Sequence, residues 1–167
     1  PEAAGALDCA RRGCLSNDSD SLVEIHYLLW GEARMDDIRI GLRGSKEIVV
    51  TEKDLASVTG NIGAEVLSTH CVVLLMELAS RSAIDGLLPE GKMTVGTQIS
   101  IRHFGAVPLG ARVKAESILT EISGRRLLFD VIAYDNFEKI AEGRNEQLIV
   151  SVEGFLKKVM WKKGVRE

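Results

Sequence analysis

Polar and apolar positions change their period along this chain, and the changes mark out its elements. From Ile38, "IRIGLRGSKEIVV" reads as a strand, or two short ones around Gly44, followed by the polar, glycine-containing "TEKDLASVTGNIG". The apolar stretch inside "VLSTHCVVLLMELAS" then predicts one long helix, roughly Ala64 to Asp85, stopped by Gly86 and Pro89. Four strand-like runs follow: "KMTVGTQISIRHF", "ARVKAESILTEI", "RRLLFDVIAYD" and "EKIAEGRNEQLIVSV". The connections "GAVPLG", "SG" and "NF" include hairpin-length turns, so the last strands predict an antiparallel meander.

The phase within these runs places a core. Val113, Ala115, Ser117 and Leu119 alternate with Arg112, Lys114, Glu116 and Ile118, as expected of a sheet with one buried face. The helix is apolar nearly all round between Cys71 and Leu78, which requires it to be central and enclosed. One such helix with a long-stranded antiparallel sheet is an α+β pattern in which the sheet wraps the helix. A single five-stranded sheet cannot cover the helix on every side, so a second subunit is expected to complete the burial by twofold pairing.

Residues 1–36 read differently. "PEAAGALDCARRGCLSNDSDS" is small and polar, and "SLVEIHYLLWGEARM" is a short helical pattern opened by a Ser21/Glu24 capping-box match. This predicts an appendage over 1–36, a domain over 37–155, and a basic tail over 156–167 that carries Trp161.

Composition narrows the function classes. A chain of 167 residues, 46% hydrophobic and 27% charged, forms one soluble domain with some tail, and a net charge of -3 gives no electrostatic reason for nucleic acid. Three cysteines without a CxxC pair indicate neither a disulfide framework nor a zinc cage, and a reducing, cytoplasmic setting is expected. "YLLW" is too short for a signal peptide and follows Asp18, Asp20 and Glu24, and no uncharged run is long enough to cross a bilayer. Neither a Walker loop nor GxGxxG, GxSxG or HExxH occurs. His26 and His70 lack metal-site spacing.

Three side chains then stand out as chemistry. Glu77 lies in the most apolar helix, where an ionised carboxylate costs several kcal/mol unless it is paired. A plain helix pair with Arg81, four residues on, is the structural alternative. Thr69 lies eight residues before Glu77, ~12 Å along a helix axis and ~80° round it, so the two cannot bond directly but can line one groove. An isolated threonine there would instead bond the carbonyl one turn back. Counting by twos from His103 gives Ile101, Ile99 and Thr97, which puts the imidazole on an apolar face as a structural histidine or as a general base or acid. Gly96 in the same strand marks a bulge or a close backbone approach, where an amide can polarise a carbonyl.

Together, "VLSTHCVVLLMELAS", "GTQISIRHFGAVPLGARVKAE", "GRRLLFDVIAYD" and "AEGRNEQLIV" resemble the hot dog fold thioesterases, specifically the fluoroacetyl-CoA thioesterase-like group, over roughly Ile38 to Val152. The resemblance implies a long helix wrapped by an antiparallel sheet, a homodimer with one continuous sheet or a larger assembly of such dimers, and an acyl-CoA thioester bound at the subunit interface. It implies catalytic roles for Thr69, Glu77 and His103, a glycine near the substrate carbonyl at Gly96, and no metal or cofactor beyond the CoA of the substrate. The implied reaction is thioester hydrolysis, with Glu77 as nucleophile or as the base that activates water. Fluoroacetyl-selective members of the group place aromatic residues over the acyl pocket ahead of the helix. Here the same place reads "SVTGNIGAEV", with Gly60 and Gly63, which implies an open or differently shaped lid and another short or medium acyl group. Two rivals remain: a non-catalytic acyl-CoA sensor, and an enoyl-CoA hydratase, which would need an Asp near His103 that the sequence lacks.

Overall fold

A computed structural model describes residues 37–164, all within one compact unit, Arg34–Glu167. The appendage expected over 1–36, with its Ser21 capping box, lies outside the described residues. Five strands form a single antiparallel sheet: β1 (Arg43–Val49), β2 (Lys92–His103), β3 (Arg112–Ser123), β4 (Arg126–Tyr134) and β5 (Lys139–Ser151), in the order β1-β3-β4-β5-β2. The central helix α1 (Thr69–Ser82) sits between β1 and β2 in sequence, and α2 (Val152–Lys162) follows β5. β3, β4 and β5 make the predicted meander, with Ser123 paired to Arg126 so that only Gly124 and Arg125 form the turn.

The alternation read in β3 holds in the structure. Val113, Ala115, Ser117 and Leu119 are buried, and the inward residues of β4, Leu127, Phe129, Val131 and Ala133, are fully enclosed. Against them α1 lays Val72, Leu75, Met76 and Ala79, none more than 2% exposed. Each large side chain of this core contributes roughly 1.5–3 kcal/mol by leaving water.

α1 is shorter than the apolar pattern predicts, and the reason lies in backbone bonding. The amides of Leu67 and Ser68 donate to Val107 and Asp54, and the carbonyl of Val66 accepts from Ala56. Residues 66–68 are thereby held extended against neighbouring segments, and the helix opens only at Thr69. At the other end, Ala83 and Ile84 donate to Ser80 and Arg81, tightening the last turn before Gly86.

Two glycines set the helix–sheet distances. A Cβ on Gly44 of β1 would lie 2.2 Å from the Ala79 carbonyl oxygen and 2.4 Å from the Ala83 nitrogen, so β1 crosses α1 in backbone contact. Ser117 closes the same crossing by donating its hydroxyl to the Ala79 carbonyl at 2.9 Å. In β2, the register with β5 slips between Gly96 and Gln98, leaving Thr97 as the bulged residue.

The basic C-terminal segment, expected as a tail from 156, is helical from Val152. Ser151 caps it by accepting from the Gly154 amide at 2.9 Å, and Glu153 pairs with Lys157.

Candidate active site

The four residues singled out above fall on two elements, α1 and β2, and meet as two pairs. Thr69, at the first turn of α1, has its hydroxyl 3.0 Å from His103 Nδ1 at the end of β2. Which partner donates depends on the tautomer of the imidazole. The other ring nitrogen, Nε2, is enclosed and has no hydrogen-bond partner among the described residues. Among the described residues the threonine hydroxyl makes no bond back to its own chain one turn earlier.

Two turns further along α1, Glu77 is half-buried. Its carboxylate lies against Gly96: a Cβ built on that glycine would stand 3.2 Å from Oε1 and 3.5 Å from Cδ. Among the described residues no ion pair joins Glu77 to Arg81, so the simple helix pair is not formed. Nor does a hydrogen bond link one pair to the other among these residues. Thr69, Val73 and Glu77 follow one side of α1, and helical side chains lean toward the N-terminus, so the Glu77 carboxylate leans toward the end of the helix that carries Thr69.

The bulge sets which side chains of β2 face α1. Ile99, Ile101 and His103 point inward and are partly covered, while Gln98, Ser100 and Arg102 are exposed. Thr97, counted with the inward residues by simple alternation, is instead displaced. Its hydroxyl bonds the Glu146 carboxylate at 2.6 Å, and Arg126 holds the other oxygen of that carboxylate at 2.7 Å. The bond from Thr97 and then those from Arg126 hold the Glu146 carboxyl below the ordinary glutamate range.

Polar residues that sequence reasoning passed over underlie the site. Gln147 pairs with Gly96 across the strands, is fully buried, and donates from Nε2 to the backbone carbonyl of Glu77 at 3.4 Å. Its Oε1 and the Nδ2 of buried Asn145 lack partners among the described residues. The signal was available: Asn145 and Gln147 share the inward phase of β5 with Ile149, and amides at core positions are informative.

Beside Thr69 and His103 opens a cleft of about 740 Å³, lined by Ala56, Thr59, Asn61, Val66, Phe104 and neighbouring residues. One of its lining residues, Ser68, donates its amide to the carbonyl of Asp54, in a polar turn beside the cleft. Burial acts to raise the Asp54 carboxyl, but bonds from the Thr51 hydroxyl and amide outweigh it, with help from Lys53 and Cys71, and hold it below its ordinary value. Among the described residues no group of three His, Cys, Asp or Glu side chains is placed to hold a metal.

A helix wrapped by a curled antiparallel sheet, with an acid on the helix facing a glycine at a strand bulge, defines the chain as a hot dog protein of the thioesterase type. The family model described as "Fluoroacetyl-CoA-specific thioesterase" matches residues 50–153. The fluoroacetyl-CoA thioesterase of Streptantibioticus cattleyicolor is 32% identical over 133 residues, covering 76% of this chain and 96% of that one. A phenylalanine-to-alanine mutant of the fluoroacetyl-CoA-specific thioesterase, solved with fluoroacetate and CoA, superposes with a TM-score of 0.67 at 30% identity, covering 71% of this chain and 99% of that one. A Thermus thermophilus protein described as a thioesterase superfamily member superposes at 0.69 with 27% identity, over 77% of this chain and 98% of that one. This chain belongs to the fluoroacetyl-CoA-specific thioesterase family. It is accordingly a thioester hydrolase of the acyl-CoA class.

Proposed function

We propose that Thr69, Glu77, His103 and Gly96 are the residues that hydrolyse the acyl-CoA thioester, releasing the free acid and CoA. The observation that carries this reading is the Glu77 carboxylate held against a residue with no side chain, at a bulge where a substrate carbonyl can approach the backbone. There Glu77 either attacks the carbonyl carbon, forming an acyl-enzyme anhydride with loss of the CoA thiolate, or takes the proton of an attacking water. The thiolate is protonated on leaving, and water supplies the hydroxyl of the acid in both routes. His103, held at Nδ1 by the Thr69 hydroxyl, serves the proton transfers in this reading.

The acyl group in this reading is short or medium and not restricted to fluoroacetyl. The loop ahead of α1 presents Gly60 and Gly63, and the adjoining cleft of about 740 Å³ has room beyond a two-carbon unit. We further place the protein in the cytoplasm, in keeping with the free, buried thiol of Cys71. We also propose a homodimer. Among the described residues β2 is an edge of the sheet with one side unpaired, and Leu74, in the middle of the apolar helix, is 55% exposed.

Thiol release from a panel of acyl-CoA esters of increasing length tests the activity. Purified protein is expected to release thiol, and Glu77→Gln, which keeps size and removes the charge, to lower kcat by at least about 10²-fold with little change in CoA binding. Binding of acyl-CoA without thiol release would instead identify a sensor, and loss of the enoyl absorbance without thiol a hydratase.

A further inference from the structure

Past Glu77 and Gly96, toward the C-terminal end of α1, lies a separate cavity with a cationic lining. Beyond Glu77, one turn on, α1 presents Arg81. Before Gly96 on the same phase of β2 come Thr94 and then Lys92, ~13 Å away at strand spacing. Arg81, Lys92 and Thr94 line a single cavity of about 410 Å³, which Lys46 of β1 also enters together with Leu78 and Asp85. Three cations therefore face one carboxylate. Among the described residues neither Lys46, Arg81 nor Lys92 is ion-paired, although exposed lysines and arginines elsewhere in the sheet are paired with glutamates, as in Arg112–Glu47, Lys114–Glu116 and Arg126–Glu146.

Resting on the thioesterase reading above, we infer that Lys46, Arg81 and Lys92 form the subsite for the phosphates of CoA, so that the substrate lies in one orientation. Its phosphates sit at the C-terminal end of α1, its thioester at Glu77 and Gly96, and its acyl group toward Thr69, His103 and the larger cleft. Length permits this. The arm from the thioester sulfur to the diphosphate has about as many backbone bonds as four to five extended residues, ~15 Å, comparable to the run from Gly96 to Lys92. Chemistry favours it as well. The cationic end carries the unpaired positive charge that a polyanion needs, whereas the lining of the other cleft is largely apolar and uncharged apart from its histidines. Leu78, between Glu77 and Arg81, gives the uncharged arm an apolar wall.

The inference separates two substrates with one acyl group: the CoA thioester, and the pantetheine thioester that lacks phosphates. Wild-type protein is expected to show a lower KM for the CoA ester, and the advantage is expected to shrink as salt is raised. Arg81→Ala and Lys92→Ala are each expected to raise the KM for the CoA ester about fivefold, and the double variant about twentyfold, with a much smaller change for the pantetheine ester. Arg81→Lys should restore most of the loss. All are exposed positions, so circular dichroism and melting should match wild type. Equal KM values for the two esters in wild type, or variants that raise both in proportion, would overturn the phosphate subsite while leaving the hydrolase intact. Failure of wild type to cleave either ester would remove the hydrolase reading and the subsite with it.

Discussion

At the scale of single residues, the proposed site depends on what Gly96 lacks. An alanine Cβ there would stand 3.2 Å from the Glu77 carboxylate, tight enough that the acid must yield by a few tenths of an ångström. Gly96→Ala is expected to keep the fold and lower kcat about tenfold, since displacements of this order at reacting groups are costly in rate. Steady-state kinetics beside a melting curve checks it, and an unchanged kcat would remove Gly96 from the reaction. Gln147 acts from beneath. By holding the Glu77 carbonyl it ties the turn that carries the acid to the strand opposite Gly96.

At the scale of elements, the position of α1 follows from contacts that allow almost no adjustment. Gly44 meets the backbone of Ala79 and Ala83 at distances no Cβ tolerates, so Gly44→Ala must push β1 from the helix. A loss of about 1–3 kcal/mol in denaturant unfolding is expected, with activity per folded molecule also reduced. A loss below about 0.5 kcal/mol would show that the crossing is more compliant than its geometry implies.

Much of this element layout was legible in the residues. The two-residue period of Val113 to Leu119 located the buried face of β3, and the apolar run from Cys71 to Met76 located the centre of α1. The start of α1 was not legible, because Val66, Leu67 and Ser68 are apolar or neutral and only their long-range bonds to Ala56, Val107 and Asp54 draw them out of the helix. α2 was hidden for a different reason: lysines dominate "GFLKKVMWKK", and its helical state rests on the Ser151 cap and the Glu153–Lys157 pair rather than on a buried face. Within the site, the residue types and spacing marked Thr69, Glu77, Gly96 and His103, but the direct Thr69–His103 bond and the outward displacement of Thr97 depend on the path of β2. A one-residue bulge shifts every later side chain by one face relative to its partner strand, which simple counting cannot anticipate.

At the scale of the whole molecule, β2 is an edge of the sheet among the described residues and Leu74 of α1 is exposed there, and the proposed twofold pairing would cover both. Light scattering or sedimentation at micromolar concentration is expected to give twice the chain mass. A fully active monomer would sink the proposed pairing.

The loop beside the larger cleft carries a longer consequence. Gly60 and Gly63 hold left-handed backbone, at φ 101° and 84°, with open space where a Cβ would be. Room is thus not what keeps them glycine: any other side chain incurs roughly 1–2 kcal/mol for the backbone conformation alone. A descendant that wished to cap this mouth with a bulky ring would first have to rethread its main chain. Divergence in acyl preference is therefore channelled through Thr59, Asn61 and Ala64, which line the opening in ordinary backbone and can be exchanged one at a time.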